Sequence, residues 1–168
     1  MKYYTGKGDK GETSTMKGRV RKDDPIVEVI GELDELNSII GVAIAFQKDK
    51  KVIKILKRIQ DNLFTIGAQI LSDNSPKISE KHIRELENYA DSFNIGVIKK
   101  FILPGGSQAS SLLHYARAFT RSVERIMVKA GIDGNPLAYI NRLSSLLYVM
   151  SVYVAKKDRI KFENPTYT

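Results

Sequence analysis

Five stretches of this chain place apolar residues at helical spacing, and no stretch of useful length alternates them as a strand would. The first opens at Asp24-Pro25, a capping residue followed by a proline suited to the first helical turn, and carries Ile26, Ile30, Leu33, Leu36, Ile40 and Ile44. The second runs from about Lys51 to Leu71 with Leu56, Ile59, Leu63, Ile66 and Ile70, and ends at Ser72-Asp73-Asn74-Ser75-Pro76. A third, shorter stretch starts near Ser79, carries Ile83, Leu86, Ala90 and Phe93, and ends near Gly96. The fourth runs from about Ser107 to Ala130, with Leu112, Ala116, Phe119, Val123, Ile126 and Ala130 as its apolar face and Gly131 as its stop. The fifth spans about Pro136 to Lys156 with Ile140, Leu143, Leu147, Met150 and Val154. Joined by short connectors, these predict an all-α chain, a five-helix bundle of the up-and-down type. The expected organisation is one domain over residues 1–168: a polar N-terminal segment 1–24, the bundle 25–157, and a C-terminal tail 158–168.

Composition removes several chemistries. Without cysteine there is no disulfide, thiolate metal site or cysteine nucleophile. The histidines, His82 and His114, are too few for a His-rich metal centre, and no protein-ligated metal is expected. Paired Glu-x-x-His motifs of a di-iron bundle are absent, because Ser79 and Ser111 stand where the glutamates would. No apolar run reaches the ~18 residues of a membrane span, and the expected location is cytoplasmic. The net charge of +8 raises the question of nucleic acid, but the lysines are scattered and no basic stripe interleaves with aromatics. Lys48, Lys50, Lys51, Lys54 and Lys57 read as the solvated side of a helix.

Four constellations remain. Thr5-Gly6-Lys7-Gly8-Asp9-Lys10-Gly11-Glu12-Thr13-Ser14 combines three glycines, which let backbone amides approach an anion, with lysines and hydroxyls that suit phosphate oxygens. It lacks the spacing and flanks of a Walker loop. In the first helix, Asp34 falls about 40° from Ile30, at ~100° per residue, on the border of the apolar stripe, whereas Glu32 and Glu35 point elsewhere. A carboxylate at that border calls for a cationic partner. In the fourth helix, Arg117, Arg121 and Glu124 stack at i, i+4 and i+7, with Ser110 and His114 continuing the row. His114 reads as a packed, hydrogen-bonded histidine rather than a metal ligand. In the fifth, Asn141 neighbours the apolar stripe and could read an adenine or ribose edge, or simply bond a neighbouring helix.

In this order, YTGKGDKGETS, KDDPIVEVIGELDELNSIIG, FILPGGSQASSLLHYARAFTRSVER and INRLS resemble the ATP:cob(I)alamin adenosyltransferases of the propanediol-utilisation type, over essentially the whole chain. The resemblance implies a homotrimer with active sites between subunits. It implies that ATP lies along Thr5, Gly6, Lys7, Gly8, Asp9, Lys10, Gly11, Thr13 and Ser14, with Lys22 as a further phosphate contact. The family's arginine/glutamate helix falls on Arg117, Arg121, Glu124 and Arg125, and its nucleotide-contacting asparagine on Asn141. Its interface aspartate falls on Asp34, which would pair with Arg117 of a neighbouring subunit, and its corrin-facing aromatic on Phe101. Two positions depart from the family pattern: Ser122 stands where many members have a second arginine, and Ser145 where many have aspartate.

The implied reaction is attack of Co(I) of cobalamin on the 5′ carbon of ATP, with Mg²⁺ present and triphosphate leaving. The metal is the nucleophile, which suits a chain without a defensible Ser/His/Asp arrangement. Lys7, Lys10, Lys22, Arg121 and Arg125 would offset the leaving charge, and Phe101 would exclude water and the lower axial base. A corrinoid reductase and an adenosylcobalamin-dependent enzyme are the implied partners. The competing expectation is an ATP-binding helical sensor without turnover, which would need neither Phe101 nor Arg117.

Overall fold

The structure, a computed structural model, describes residues 2–15 and 18–167. Its elements are β1 (Glu12–Thr15), β2 (Gly18–Arg21), α1 (Pro25–Ala45), α2 (Lys50–Leu71), α3 (Glu80–Asp91), α4 (Gln108–Lys129) and α5 (Gly134–Lys157). The helices start where side chains satisfy the first amides. Asp24 accepts from the amide of Ile26 at 2.8 Å, Asp49 from those of Lys51 and Val52 at 2.8 and 3.2 Å, and Ser107 from that of Ser110 at 3.3 Å. Gly131, at φ +73°, closes α4, and the Ile132 amide bonds back to Met127 at 2.9 Å.

Helices α1, α2, α4 and α5 surround the core. Sequential neighbours pack as α1 on α2 and α4 on α5, α1 also meets α4, and α3 covers α5. The core holds Leu36, Ile40, Leu56, Ile59, Leu113, Val123, Ile140 and Leu147, all fully buried, each contributing roughly 1.5–3 kcal/mol of transfer free energy. Burial pushes the Tyr139 hydroxyl far above its ordinary pKa, and the neutral group accepts a hydrogen bond from Asn62 at 3.0 Å, joining α2 to α5. Helix α5 is long and apolar enough to cross a membrane by length and composition. Its apolar residues Ile140, Leu143, Leu146, Leu147 and Met150 are instead fully buried, so it is the central core helix.

Three expectations need correction. The N-terminal segment is not free of strands: β1 and β2 form a small antiparallel hairpin, with Glu12 opposite Arg21 and Thr15 opposite Gly18. Four-residue strands with one partly buried face are too short for their alternation to stand out. Helix α3 ends at Asp91, short of Gly96; Phe93 is still buried, but as a loop residue whose ring meets that of Tyr153 at a tilt, with centroids 4.7 Å apart. The buried stripe of α4 is Leu113, Ala116, Thr120, Val123 and Met127, while Leu112, Phe119 and Ile126 are only partly buried. Thr120 can lie in that stripe because its hydroxyl donates to the Ala116 carbonyl at 2.7 Å.

Candidate functional site

Beside Arg117 lies a cavity of about 510 Å³, walled by the loop before α4, by α4 and by α5. Phe101, Arg117, His114 and Tyr148 line it together with Lys99 and Lys100. Phe101 is 78% exposed, an apolar ring held open to solvent on a turn-rich loop. A ring so placed is not part of the core. The end of the loop before α4 is tied to that helix, where Ser110 Oγ, fully buried, donates to the Gly105 carbonyl at 3.1 Å.

Arg117 forms the α4 wall. It is half-buried, and its Nε is buried without a hydrogen-bond partner among the described residues. Asp34, on α1, is exposed rather than at a buried border, and its carboxylate makes no ion pair among the described residues. A single chain therefore leaves the two groups apart and each unmatched. One turn before Arg117, His114 is buried, with Nδ1 3.5 Å from Ser151 Oγ and its ring edge-on to Tyr148. Burial, reinforced by the Arg117 charge, holds its pKa below the ordinary histidine value, so the imidazole is neutral near pH 7. It is a packed histidine, as its sequence context suggests.

Further along α4 the row changes character. Arg121 and Arg125 are exposed, and Glu124 is half-buried. Asn141 of α5 donates to Glu124 at 2.7 Å, so the asparagine makes the helix–helix bond considered from the sequence, while its side-chain Oδ1 accepts no hydrogen bond among the described residues. Arg125 donates to Ser122 at 2.8 Å, so the serine that replaces a common arginine orients its neighbour. Ser145 is exposed and makes no contact that explains it.

The glycine segment is a second, separate half-site. Gly6 and Gly11 have φ of +65° and +77°, in the left-handed region that glycine enters without strain. The Lys22 amide bonds the Gly11 carbonyl at 2.8 Å. Its ammonium lies 3.3 Å from where a Gly8 Cβ would stand, so Lys22 joins the segment, and any side chain at Gly8 would crowd it. Arg19 and Arg21 are committed to Glu12 and Asp23 at 2.9 and 2.7 Å. Lys7, Lys10 and Lys22 make no ion pair among the described residues and are cations this segment has available. Thr5, Asp9, Thr13 and Ser14 lie in the same exposed or half-exposed turn and hairpin. Among the described residues, no hydrogen bond or ion pair links Thr5 to Ser14, or Lys22, to α4 or α5.

The sequence reading missed Tyr148, Lys99 and Lys100 as cavity-lining residues. Tyr148 sits among core-like apolar positions of α5, and nothing in its spacing distinguishes it. Lys99-Lys100 directly before Phe101 was the available signal, a cationic pair next to an aromatic in a loop.

The chain matches the cobalamin adenosyltransferase family over residues 3–154. It is 38% identical over 173 residues to the corrinoid adenosyltransferase of Bacillus subtilis, covering 95% of this chain and 90% of the relative. A variant of the PduO-type ATP:corrinoid adenosyltransferase from Lactobacillus reuteri, complexed with cobalamin and ATP, superposes with a TM-score of 0.90 at 31% identity, covering 98% of this chain and 99% of that one. Another variant of the same enzyme, complexed with ATP, gives a TM-score of 0.90 at 34% identity, covering 96% and 99%. With fold, motif order and near full-length similarity in agreement, this chain belongs to the cobalamin adenosyltransferase family, in its PduO type.

Proposed function

We propose that the chain transfers the 5′-deoxyadenosyl group of ATP to the cobalt of cob(I)alamin or a related corrinoid, acting as a homotrimer with its active site between subunits. The observation that carries the inter-subunit reading is the pair of unmatched groups, Arg117 in the cavity wall and Asp34 exposed on α1. A half-buried guanidinium without a partner is costly. Asp34 of a neighbouring copy satisfies it and closes the cavity. The same contact brings the glycine segment of one subunit to the α4 row of the next, which supports joining the two half-sites.

In the reaction the cobalt electron pair forms the Co–C5′ bond, the C5′–O bond breaks, and triphosphate leaves with about four negative charges. Lys7, Lys10 and Lys22 from the glycine segment, with Arg121 and Arg125 from α4, offset that charge. Asn141, oriented by Glu124, reads the nucleoside edge. Phe101 lies beneath the corrin and keeps water and the lower axial base from the cobalt, which makes reduction to Co(I) easier. Arg117 and Asp34 fix the geometry in which C5′ faces the metal.

Among the described residues no group of three or more histidine, cysteine or carboxylate side chains gathers to hold a metal ion, and Mg²⁺ would be held mainly by phosphate oxygens and water, as is usual for it. Asp9, Thr5 and Thr13 are the oxygen donors the glycine segment adds. The ion supplies charge neutralisation on the triphosphate. We place the enzyme in the cytoplasm, between a corrinoid reductase that supplies Co(I) and an adenosylcobalamin-dependent enzyme that uses the product.

Anaerobic incubation with ATP, Mg²⁺ and chemically reduced cobalamin tests this. The expected result is the spectrum of adenosylcobalamin with an equal amount of triphosphate. Tight ATP binding with no cobalt–carbon product would favour the sensor without turnover.

A further inference from the structure

The C-terminal tail, residues 158–167, does not trail away from α5. Arg159 takes a φ of +57°, in the left-handed region, and turns the chain sharply. The Ile160 amide bonds back to Ala155 at 2.9 Å, which fixes the direction of the turn. The tail then runs beside the loop 101–106. The side chain of Ile160 comes within 3.3 Å of where a Cβ on Gly106 would stand, a close approach that only glycine, at φ +105°, permits. The Leu103 amide donates to the Glu163 carbonyl at 2.9 Å. Asn164 Nδ2 donates to the carbonyl of Phe101 itself at 2.7 Å, across 63 positions of sequence. From the other side, Ser110 Oγ stands 3.1 Å from the carbonyls of both Gly105 and Ser151.

We infer that this tail is a strap that sets the direction of Phe101 over the cavity, and that Asn164 is the positioning residue at its end. The inference rests on the reading of Phe101 as the corrin-facing ring. The physical reason is simple. The Phe101 ring is exposed, so packing does not define its place; only its backbone can. Of the polar groups on that stretch of backbone, the Phe101 carbonyl and the Leu103 amide are both held by the tail, through one side chain and one carbonyl. Loop residues without such ties sample many conformations, and a ring that must lie flat under a corrin cannot. Asn164 touches no reacting atom, so its role is distinct from that of Phe101.

The test uses full-length protein and Asn164→Asp, which keeps the side-chain size but removes the donor. The Leu103 amide should exchange with solvent faster than in the parent. Corrinoid affinity, and the rate starting from cob(II)alamin, should fall about threefold to tenfold, the weight of one hydrogen bond. ATP affinity and the melting temperature should not move. Phe101→Ala is measured in parallel. It should lower the rate from cob(II)alamin sharply and regain much of it from pre-reduced cob(I)alamin, because the difficult reduction is then bypassed. Normal Leu103 exchange and normal corrinoid rates in Asn164→Asp, with a defective Phe101→Ala, would overturn the strap and leave the Phe101 reading intact. An unaffected Phe101→Ala would overturn both. A joint fall of ATP affinity, melting temperature and corrinoid rate in Asn164→Asp would show a general structural role and also overturn the strap.

Discussion

In the N-terminal arm every residue from Lys2 to Glu12 except Gly8 is exposed, whereas in α5 twelve of the 24 residues are buried. The arm is held by its own hairpin, by the Arg19–Glu12 and Arg21–Asp23 ion pairs, and by turns at Gly6 and Gly11. Exposed pairs of that kind contribute little, because solvent screens them and ordering two long side chains costs entropy. The bundle is held by buried aliphatic surface and by satisfied polar groups such as Asn62–Tyr139. The bundle presents its candidate site residues, among them Arg117, Arg121 and Asn141, from helices with a large buried core; the arm carries available cations and is weakly stabilised. On the proposed reading, the arm adapts to a triphosphate without disturbing the fold.

Deleting residues 1–14 should give the largest separation of the two regions. ATP affinity should fall below detection by calorimetry, while helix content and melting temperature stay near those of the parent. Unchanged ATP affinity would remove the arm from the nucleotide site. Arg117→Ala comes next. Losing a buried charge pair costs ~3–5 kcal/mol, which is roughly 100- to 5000-fold in rate if it falls on the transition state. Turnover should be abolished in the anaerobic assay, the bundle should stay folded by circular dichroism, and sedimentation should show a weakened trimer. Near-normal turnover would end the Asp34–Arg117 assignment.

Tyr139→Phe sharpens the other side of the comparison. It leaves the amide of Asn62, which is 2% exposed, without its partner at a cost of ~1–3 kcal/mol. The melting temperature should drop by about 2–4 °C per kcal/mol, with turnover unchanged at a temperature where the protein is folded. The smallest effect concerns His114. Its pKa is lowered in the folded state by burial and then by Arg117, so the unfolded chain binds the proton more readily. The stability contributed by the neutral imidazole is complete above the unfolded value of about 6.5 and is lost as pH falls toward the folded value. Melting curves from pH 8 to pH 5 should show this loss, and His114→Asn should flatten it. A variant with the same pH dependence as the parent would assign the effect elsewhere.

On the acidic side of α1, Glu32 has its pKa raised by burial and by the neighbouring charges of Glu35 and Glu28. This crowding of like charge lies on the helix that also presents Asp34. By contrast, Asp49 is discharged less easily: burial opposes its charge, but Lys157 and the amides of Val52 and Lys51 outweigh it and lower its pKa. Asp49 thereby both caps α2 and ties it to the end of α5 through Lys157 and the Tyr153 hydroxyl, the latter at 3.2 Å. The two carboxylates differ because one is paired within the chain and the other is not.

Local chemistry in the sequence determined the helices, their caps and most of the core. Helical period and capping residues act over a few positions, so Asp24-Pro25, Gly131 and the Ile140–Leu147 stripe are legible without a fold. The same holds for the glycine and lysine chemistry of Thr5–Ser14, and for the resemblance carried by its order with the arginine row and INRLS. The tertiary structure alone decided which face of α4 is buried, because Thr120 is admitted to the core only by a hydrogen bond that spacing does not reveal. It decided that Phe101 opens into a cavity with Arg117, His114 and Tyr148, since those residues come from three segments. It decided that Asn164 reaches the Phe101 carbonyl across 63 positions. Contacts between distant segments depend on how helices pack and where the chain turns back, and no local period in the sequence encodes either.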